Sequence, residues 1–497
     1  MTSSSSSLSV AASIPPETRK HFAIHALAGS EPVSHAAKRE GVSRQFIYRQ
    51  KYKADIALDQ AFPPAGEAPD VLFNLPVTEA WLNQLVISLV LVCHSSFRGV
   101  VRLLEDLFDT PISVGTVHNR LAAAAGCAAA VNAAQGLSPV RVGLHDEIFQ
   151  GGRPVLTGLD ADSTYCHVLV EAEHRDGDMW GVHLLDAKAQ GLNPDYTIAD
   201  AATGLRAGQR AALGDIPCHG DIFHIQQQCE GLANRLARLA QGSATRRQKA
   251  EQRMAGAKQE CLKDTLSAAL AKARDDEAVA LCLAKDVKAM VGWLERDILA
   301  LAGPGLEDRR ELFDFIVDEL ARREHLDSAR IRPVRVALKR QRDKLLGFAE
   351  VLDGKLAAIA QGFDVPEYQV RAVCLLKRKP ETSQAYWQRR EQLNRLLGWK
   401  FHGILEAVSD AMDETHRSSS MVENLNGRLR NYFFLRRHLG QGYLDLLRFF
   451  LNHRTFARSE RPERRGKSPA ELMTGKPHPH WLELLGFERF RRSPVPA

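Results

Sequence analysis

The chain has 497 residues, 44% hydrophobic and 25% charged, an ordinary globular balance for roughly three or four domains with a substantial buried core. Eight cysteines without a CxxC pair argue against a disulfide framework or zinc ribbon and for a reducing cytoplasm, and the longest apolar run, LVISLVLVC at 85–93, is far too short to cross a bilayer. The net charge of +6 is unevenly placed: from Asn424 onward 15 lysines and arginines stand against 6 acids, a surplus of +9, so the rest of the chain sums to −3. Such a C-terminal surplus reads either as a solvated tail or as a surface for an anionic polymer.

In chain order, MTSSSSSLSVAASIPPE lacks the basic and apolar segments of a signal peptide, and residues 1–17 read as a disordered lead. Residues 18–62 form a small helical unit in which PVSHAAKREG and VSRQFIYRQKY have helix-turn-helix proportions. Gly41 marks the turn, Ser43 the N-cap, and Arg44, Gln45, Tyr48, Arg49 and Lys51 lie early on the second helix, where a DNA-reading helix would present them to a major groove. A plain helical hairpin is the other reading. After the linker FPPAGEAPD, a second helical unit at 71–136 repeats the pattern, with Ser113 capping a helix that carries Thr116, His118, Asn119 and Arg120 near its start.

At 139 the period turns strand-like. VRVGLHDEIF, PVLTGLDADST and YCHVLVEAEH read as three sequential strands with a hairpin turn at Gln150-Gly151-Gly152. DMWGVHLLDAKAQG, DYTIAD, ATGLRAGQRAAL and IPCHGDIFHIQQQC then alternate helix and strand, the signature of an α/β fold with a mixed sheet and helices on its faces. Residues 225–417 are almost wholly helix-forming without a fixed repeat, so the sheet domain stops near 224 and resumes at 418. The sheet-bearing parts are thus 139–224 and 418–457, followed by a basic tail at 458–497.

Three acids attract attention. Asp146 is expected to end the first strand and Asp200 the fourth, and a helix from 418–437 could bring Glu423 to the same point. Each has a plain alternative: a strand-end Asp serves as a turn or cap, and Ser420 with Glu423 has capping-box spacing. Against the last reading, Val422, Leu425, Leu429 and Tyr432 form an apolar stripe while Glu423, Gly427, Arg430 and Arg437 share another face. Two Asp and one Glu are the hard oxygen donors that two Mg²⁺ ions require for phosphoryl transfer. Glu147 could ligate in place of Asp146, though strand alternation aims it at the opposite face, and Asp221, at the end of the fifth strand, could sit beside the metals with His224 behind. A zinc site from Cys218, His219, His224 and Cys229 fits no standard ligand spacing, His478 and His480 flank a proline, and no GxxxxGK[ST] is present to hold a nucleotide cofactor.

The segments HDEIFQGGRPVLTGLDADSTYCHVLVEAEHRDGDMW, TIADAATGLRAG, CHGDIFHI and SSSMVENLNGRLRNY, with GKSPAELMTG at 466–475, resemble the successive motifs of DDE transposases of bacterial insertion sequences. The resemblance covers about 139–224 and 418–475. It implies an RNase H-like catalytic domain interrupted by a large all-helical insertion at 225–417, with helix-turn-helix units ahead of it. It further implies Asp146, Asp200 and Glu423 as catalytic and metal-binding residues for two Mg²⁺ ions, with Mn²⁺ as a substitute. Asp221, Glu147 and His224 would stand behind them. The separation of 223 positions from Asp200 to Glu423 far exceeds the gap in compact members. The implied partners are double-stranded DNA, as terminal inverted repeats and as target, and further copies of the chain in at least a dimer. No membrane partner is expected, and the location would be the cytoplasm, at the nucleoid. Arg428, Arg430, Arg436, Arg437, Arg454 and Arg458 would meet the DNA backbone. Two other activities remain open: a transposase-derived DNA-binding regulator without catalysis, and a structure-specific nuclease of the same fold.

Overall fold

A computed structural model describes residues 14–62, 75–436 and 438–490. The lead over 1–13, the linker and following residues at 63–74, Arg437 and the tail end at 491–497 lie outside the described residues. Contacts divide the chain into two compact units, one ending at Val77 and one spanning Thr78–Phe490.

The first unit holds α1 (Pro16–Ala28), α2 (Val33–Arg39) and α3 (Arg44–Ala61). The turn before α3 uses Gly41 at a φ of 67°, a conformation that favours glycine. Ser43 then accepts the Phe46 amide at 3.1 Å as an N-cap. Ile47 is buried against Ala36 and Ala37, which fixes α3 against α2 and turns Arg44, Gln45, Tyr48 and Arg49 outward.

The second unit opens with α4 (Glu79–Leu91), α5 (Phe97–Phe108) and α6 (Val114–Ala134). The strands are β1 (Val142–Gln150), β2 (Arg153–Asp160), β3 (Cys166–Glu171), β4 (Tyr196–Ala199) and β5 (Cys218–Gly220), with α7 (Gly177–Ala189) before β4 and α8 (Thr203–Leu213) before β5. Next come α9 (Ile222–Ala255), α10 (Glu260–Trp293), α11 (Leu306–Arg323), α12 (Ser328–Leu345), α13 (Gly347–Phe363), α14 (Glu367–Leu376), α15 (Gln384–Leu397) and α16 (Phe401–Asp413). The unit closes with α17 (Ser420–Phe433), α18 (Gln441–His453), α19 (Pro469–Thr474) and α20 (Trp481–Leu484). Among the described residues no helix is long and apolar enough to cross a membrane.

The chain is mixed α/β, with one five-stranded sheet in the order β3-β2-β1-β4-β5. β1, β2 and β3 are antiparallel neighbours, whereas β4 runs parallel to both β1 and β5. The β1–β2 hairpin turns on Gly151 and Gly152, both at positive φ, as a two-residue loop of matching twist demands. Helices α4–α6 share one core with the sheet: Leu121 and Ala125 of α6 belong with Leu144 of β1, Leu425 of α17 and Leu447 of α18. Asn132 of α6 also donates to the Asp445 carbonyl at 2.9 Å.

On the other side of the sheet α7 and α8 approach so closely that a Cβ on Gly208 would lie 2.5 Å from the Gly177 oxygen, and one on Gly204 would lie 2.2 Å from the Arg175 oxygen. The glycines of TGLRAG are therefore packing requirements. At the sheet's edge, Asn452 on α18 accepts the Cys166 amide at 2.7 Å and donates to the Cys166 carbonyl at 2.9 Å, satisfying an outer strand that has no further strand beside it. Asn452→Leu is expected to cost about 2–3 kcal/mol, the scale of leaving buried backbone groups unpaired, measurable by urea denaturation.

Helices α9–α12 and α13–α16 build cores distinct from that of the sheet. This long segment departs and returns at one place: the Ser419 amide donates to Asp221 Oδ1 at 3.0 Å, and the Ile222 amide donates to the Arg417 carbonyl at 3.3 Å.

Candidate functional site

The β1–β4 register pairs Val142 with Tyr196 and ends at His145 with Ala199. The next residue in the chain is Asp146 after His145, within β1, and Asp200 after Ala199, just past the end of β4, so the two acids are neighbours where the parallel strands part. Asp146 does not end its strand, as the sequence suggested. β1 continues to Gln150 because its antiparallel pairing with β2 extends that far, with Asp146 opposite Thr157. Alternation along β1 sends Asp146 toward α17 and Glu147 to the opposite face. There Glu147 accepts from the Trp180 indole at 2.9 Å and lies 3.6 Å from Arg175. That engagement makes Glu147 a partner of α7.

Glu423 lies in the first turn of α17. The capping box does not form: the helix is preceded by Ser419, Ser420 is already helical, and the N-cap side chain makes no bond to the helix amides. The Ser419 hydroxyl donates to Asp221 instead. Glu423 is thereby free of a capping task, and its carboxylate lies 3.6 Å from His224 Nε2.

His224, one turn into α9, joins these elements. Its Nδ1 is hydrogen-bonded to Asp221, its Nε2 faces Glu423, and the charges of Asp146 and Asp200 also reach it. The Asp221 hydrogen bond, outweighing partial burial and aided by the charges of Asp221, Asp146 and Asp200, raises the imidazole to about 9. Burial would raise Asp221, yet hydrogen bonds from His224 and Ser419 prevail and hold it below its ordinary value. Asp146 goes the other way: burial, with the neighbouring Glu423 and Asp200 charges, pushes it up to about 6 despite opposing hydrogen bonding and the His224 charge.

A raised histidine stabilises the fold fully below its unfolded value near 6.5, and that contribution fades as pH rises through 9. In EDTA, His224→Gln is therefore expected to cost about 2 kcal/mol at pH 6, allowing for partial exposure, and little above pH 9.5. Thermal unfolding across that range checks it.

Three positioning residues were not singled out from the sequence. Asn426 donates to Asp146 Oδ2 at 2.9 Å, and its own buried Oδ1 has no hydrogen-bond partner. Its position three residues after Glu423 is the clue that was there to read, since i and i+3 share a helix face. Arg206 donates to the carbonyls of Asp200 at 2.7 Å, Ala199 at 2.9 Å and Cys218 at 3.1 Å, locking the end of β4 where Asp200 emerges. Ser419 holds Asp221.

The donors suit a divalent cation: all are hard oxygens, the Asp146 carboxylate feels the charges of Glu423 and Asp200 as well as that of His224, and an orphaned amide oxygen is adjacent. As they stand the acids are not a closed cage, for among the described residues no three His, Cys, Asp or Glu side chains form a group able to hold a metal ion.

Of the arginines expected to meet DNA, Arg428 and Arg454 stand close enough for their charges to interact. Arg428, Arg430, Arg454 and Arg458 are exposed, Arg454 lying over the Phe450 ring. Arg436 is half-buried, its guanidinium 3.8 Å from the Tyr443 ring centre and 4.7 Å from that of Phe97. Arg437 lies outside the described residues. In the first unit Lys51 is half-buried, while Tyr52, one turn past Tyr48, is 67% exposed and extends the outward face. No protein-family profile matches the chain, and no curated protein is similar to it at a significant level.

Proposed function

We propose that the protein is a DNA transposase with an RNase H-like catalytic domain, in which 225–417 is a helical insertion and Asp146, Asp200 and Glu423 hold two Mg²⁺ or Mn²⁺ ions. The observation that supports this most is His224, a single side chain that experiences Asp146, Asp200, Asp221 and Glu423 together. Acids from three distant parts of the sequence thus converge at the point where parallel strands diverge, a position where an open sheet leaves room for a ligand.

In this reading water attacks a phosphodiester at each element end, the new P–O bond replaces the P–O3′ bond, and a 3′-OH is released. That hydroxyl then attacks a target phosphodiester and displaces the target's own 3′ oxygen. Asp146, Asp200 and Glu423 would hold the divalent ions, which would supply activation of the attacking oxygen and stabilisation of the leaving one. The chain's residues supply the frame: Arg206 fixes Asp200, Asn426 orients Asp146, and Gly427, with open space where a Cβ would be, allows a phosphate backbone close to α17. Exposed Arg428 and Arg430 on α17 would add contacts that weaken with salt. The outward face of α3 would read the terminal repeats, and synapsis of two ends needs at least two copies.

The open arrangement of the acids favours a second reading, a DNA-binding regulator that retains the fold without catalysis. Strand cleavage of labelled duplexes carrying the flanks of the protein's own gene, with and without Mg²⁺ or Mn²⁺, separates the readings. Divalent-dependent cutting at the element end supports the transposase; equal specific binding with no cutting supports the regulator; cutting of junctions irrespective of end sequence supports a structure-specific nuclease.

A further inference from the structure

The face of α9 that begins at His224 does not end beside the acids. Steps of three and four residues from His224 lead to Arg235, Arg238, Arg246, Lys249 and Arg253, which therefore share one side of the helix. All of them are exposed. Arg246 donates to the Ser243 hydroxyl at 2.7 Å, and among the described residues none of these cations has an ion-pair partner. The acids of α9, Glu230 and Glu251, lie off this row, and Glu251 holds Arg247 at 2.6 Å and Arg274 of α10 at 3.2 Å. Exposed cations further along the insertion are neutralised: Arg322 pairs with Glu319, Arg330 with Asp327 and Arg395 with Glu391. Gly231 and Gly242 belong to the same row. A Cβ on Gly231 would meet nothing within 4 Å, and one on Gly242 would meet only Arg246, at 3.7 Å. Glycine weakens a helix, and packing within the chain requires neither of these.

We propose that this face of α9 carries duplex DNA leading away from the acid cluster; this rests on the transposase reading. Charge and position together select the occupant. Uncompensated cations in an acid-free row from Arg235 to Arg253, about 27 Å long at the rise of an α-helix, match a polyanion whose phosphates repeat along its length. The open glycines let a sugar-phosphate backbone come close to the helix. The row starts at the histidine that faces Glu423, so a duplex with one phosphate at the acids has its continuation on this side of α9. Arg235 is 11 and Arg253 is 29 positions beyond His224, about 16 and 44 Å along the helix, or about five and thirteen base steps at 3.4 Å each. Contacts of this kind hold the backbone without reading sequence.

The test is binding of the full chain, in EDTA and over a range of salt, to duplexes carrying the flanks of the gene, with hydroxyl-radical footprints referred to the cut that wild type makes with Mg²⁺. The triple variant Arg246→Gln/Lys249→Gln/Arg253→Gln is expected to lessen the slope of log affinity against log salt by about 2.7, to weaken binding about tenfold to a hundredfold near physiological salt, and to lose protection about ten to thirteen base pairs from the cut. The pair Arg235→Gln/Arg238→Gln is expected to lessen the slope by about 1.8 and to lose protection nearer the cut, at about five to six base pairs. Arg322→Gln/Arg330→Gln/Arg395→Gln removes the same charge as the triple variant from sites that already hold an acid, and should match wild type. An equal fall of slope in this control means that net charge alone is read and overturns the proposal. Wild-type protein that cuts its ends, with slope and footprint unchanged in the α9 variants, overturns the proposal and leaves the transposase reading standing. Wild-type protein that binds these duplexes and cuts nothing, with the slope lowered in the α9 variants alone, overturns the transposase reading and retains the duplex-binding face. Wild-type protein that binds no duplex overturns both.

Discussion

Glu423→Gln is expected to lower strand cleavage by about a thousandfold or more, some 4 kcal/mol of transition-state stabilisation, while binding of end DNA stays close to wild type. The substitution keeps the shape of the side chain and removes its charge. Because Glu423 makes no capping hydrogen bond, its loss costs the start of α17 only a first-turn charge, and it gives up the 3.6 Å approach to His224. Gel-resolved cleavage with divalent ion, paired with a binding titration on the same duplex, reads both halves of the expectation. Equal cleavage by variant and wild type would move the third acid elsewhere.

Asp146→Asn is expected to be equally inactive and yet more stable than wild type at pH 8, by about 2 kcal/mol in EDTA. The sign follows from the direction of the shift. Burial raises Asp146 to about 6, so ionising it costs the folded state more than the unfolded chain, and the fold pays that penalty in full above pH 6. Asparagine carries no charge, and its carbonyl can still accept from Asn426. The gain should shrink as pH falls from 6 toward 4, where wild-type Asp146 is protonated when folded and becomes so when unfolded. Chemical denaturation of both proteins at pH 8, 6 and 4 measures it; a variant less stable than wild type at pH 8 would show that the aspartate is not a strained group.

These two residues also show what could be read from the sequence. Local signals were legible: Gly41 and Ser43 before α3, Ser113 before α6, and the Gly151-Gly152 hairpin each act through neighbouring residues and are where the sequence placed them. The adjacency of Asp146 and Asp200 was legible from the order of strands, and the register makes it concrete. The capping-box spacing at Ser420 and Glu423 is not used because the helix starts one residue earlier than that motif needs, its preceding serine being drawn to Asp221, 198 positions away. Arg206 and the fusion of α6 with α18 depend on contacts across the fold, such as Asn132 to Asp445, that no window of sequence contains, whereas the i+3 spacing of Asn426 from Glu423 was there to read. Glu147 was ambiguous until Trp180 claimed it.

The claim that acids from β1, β4 and α17 form one divalent-ion site is tested most directly by Mn²⁺ electron paramagnetic resonance on the full chain bound to end DNA. The account predicts bound Mn²⁺ in wild type and a marked loss of it in each of Asp146→Asn, Asp200→Asn and Glu423→Gln, with Glu147→Gln unchanged. Undiminished Mn²⁺ binding in all three variants would contradict it.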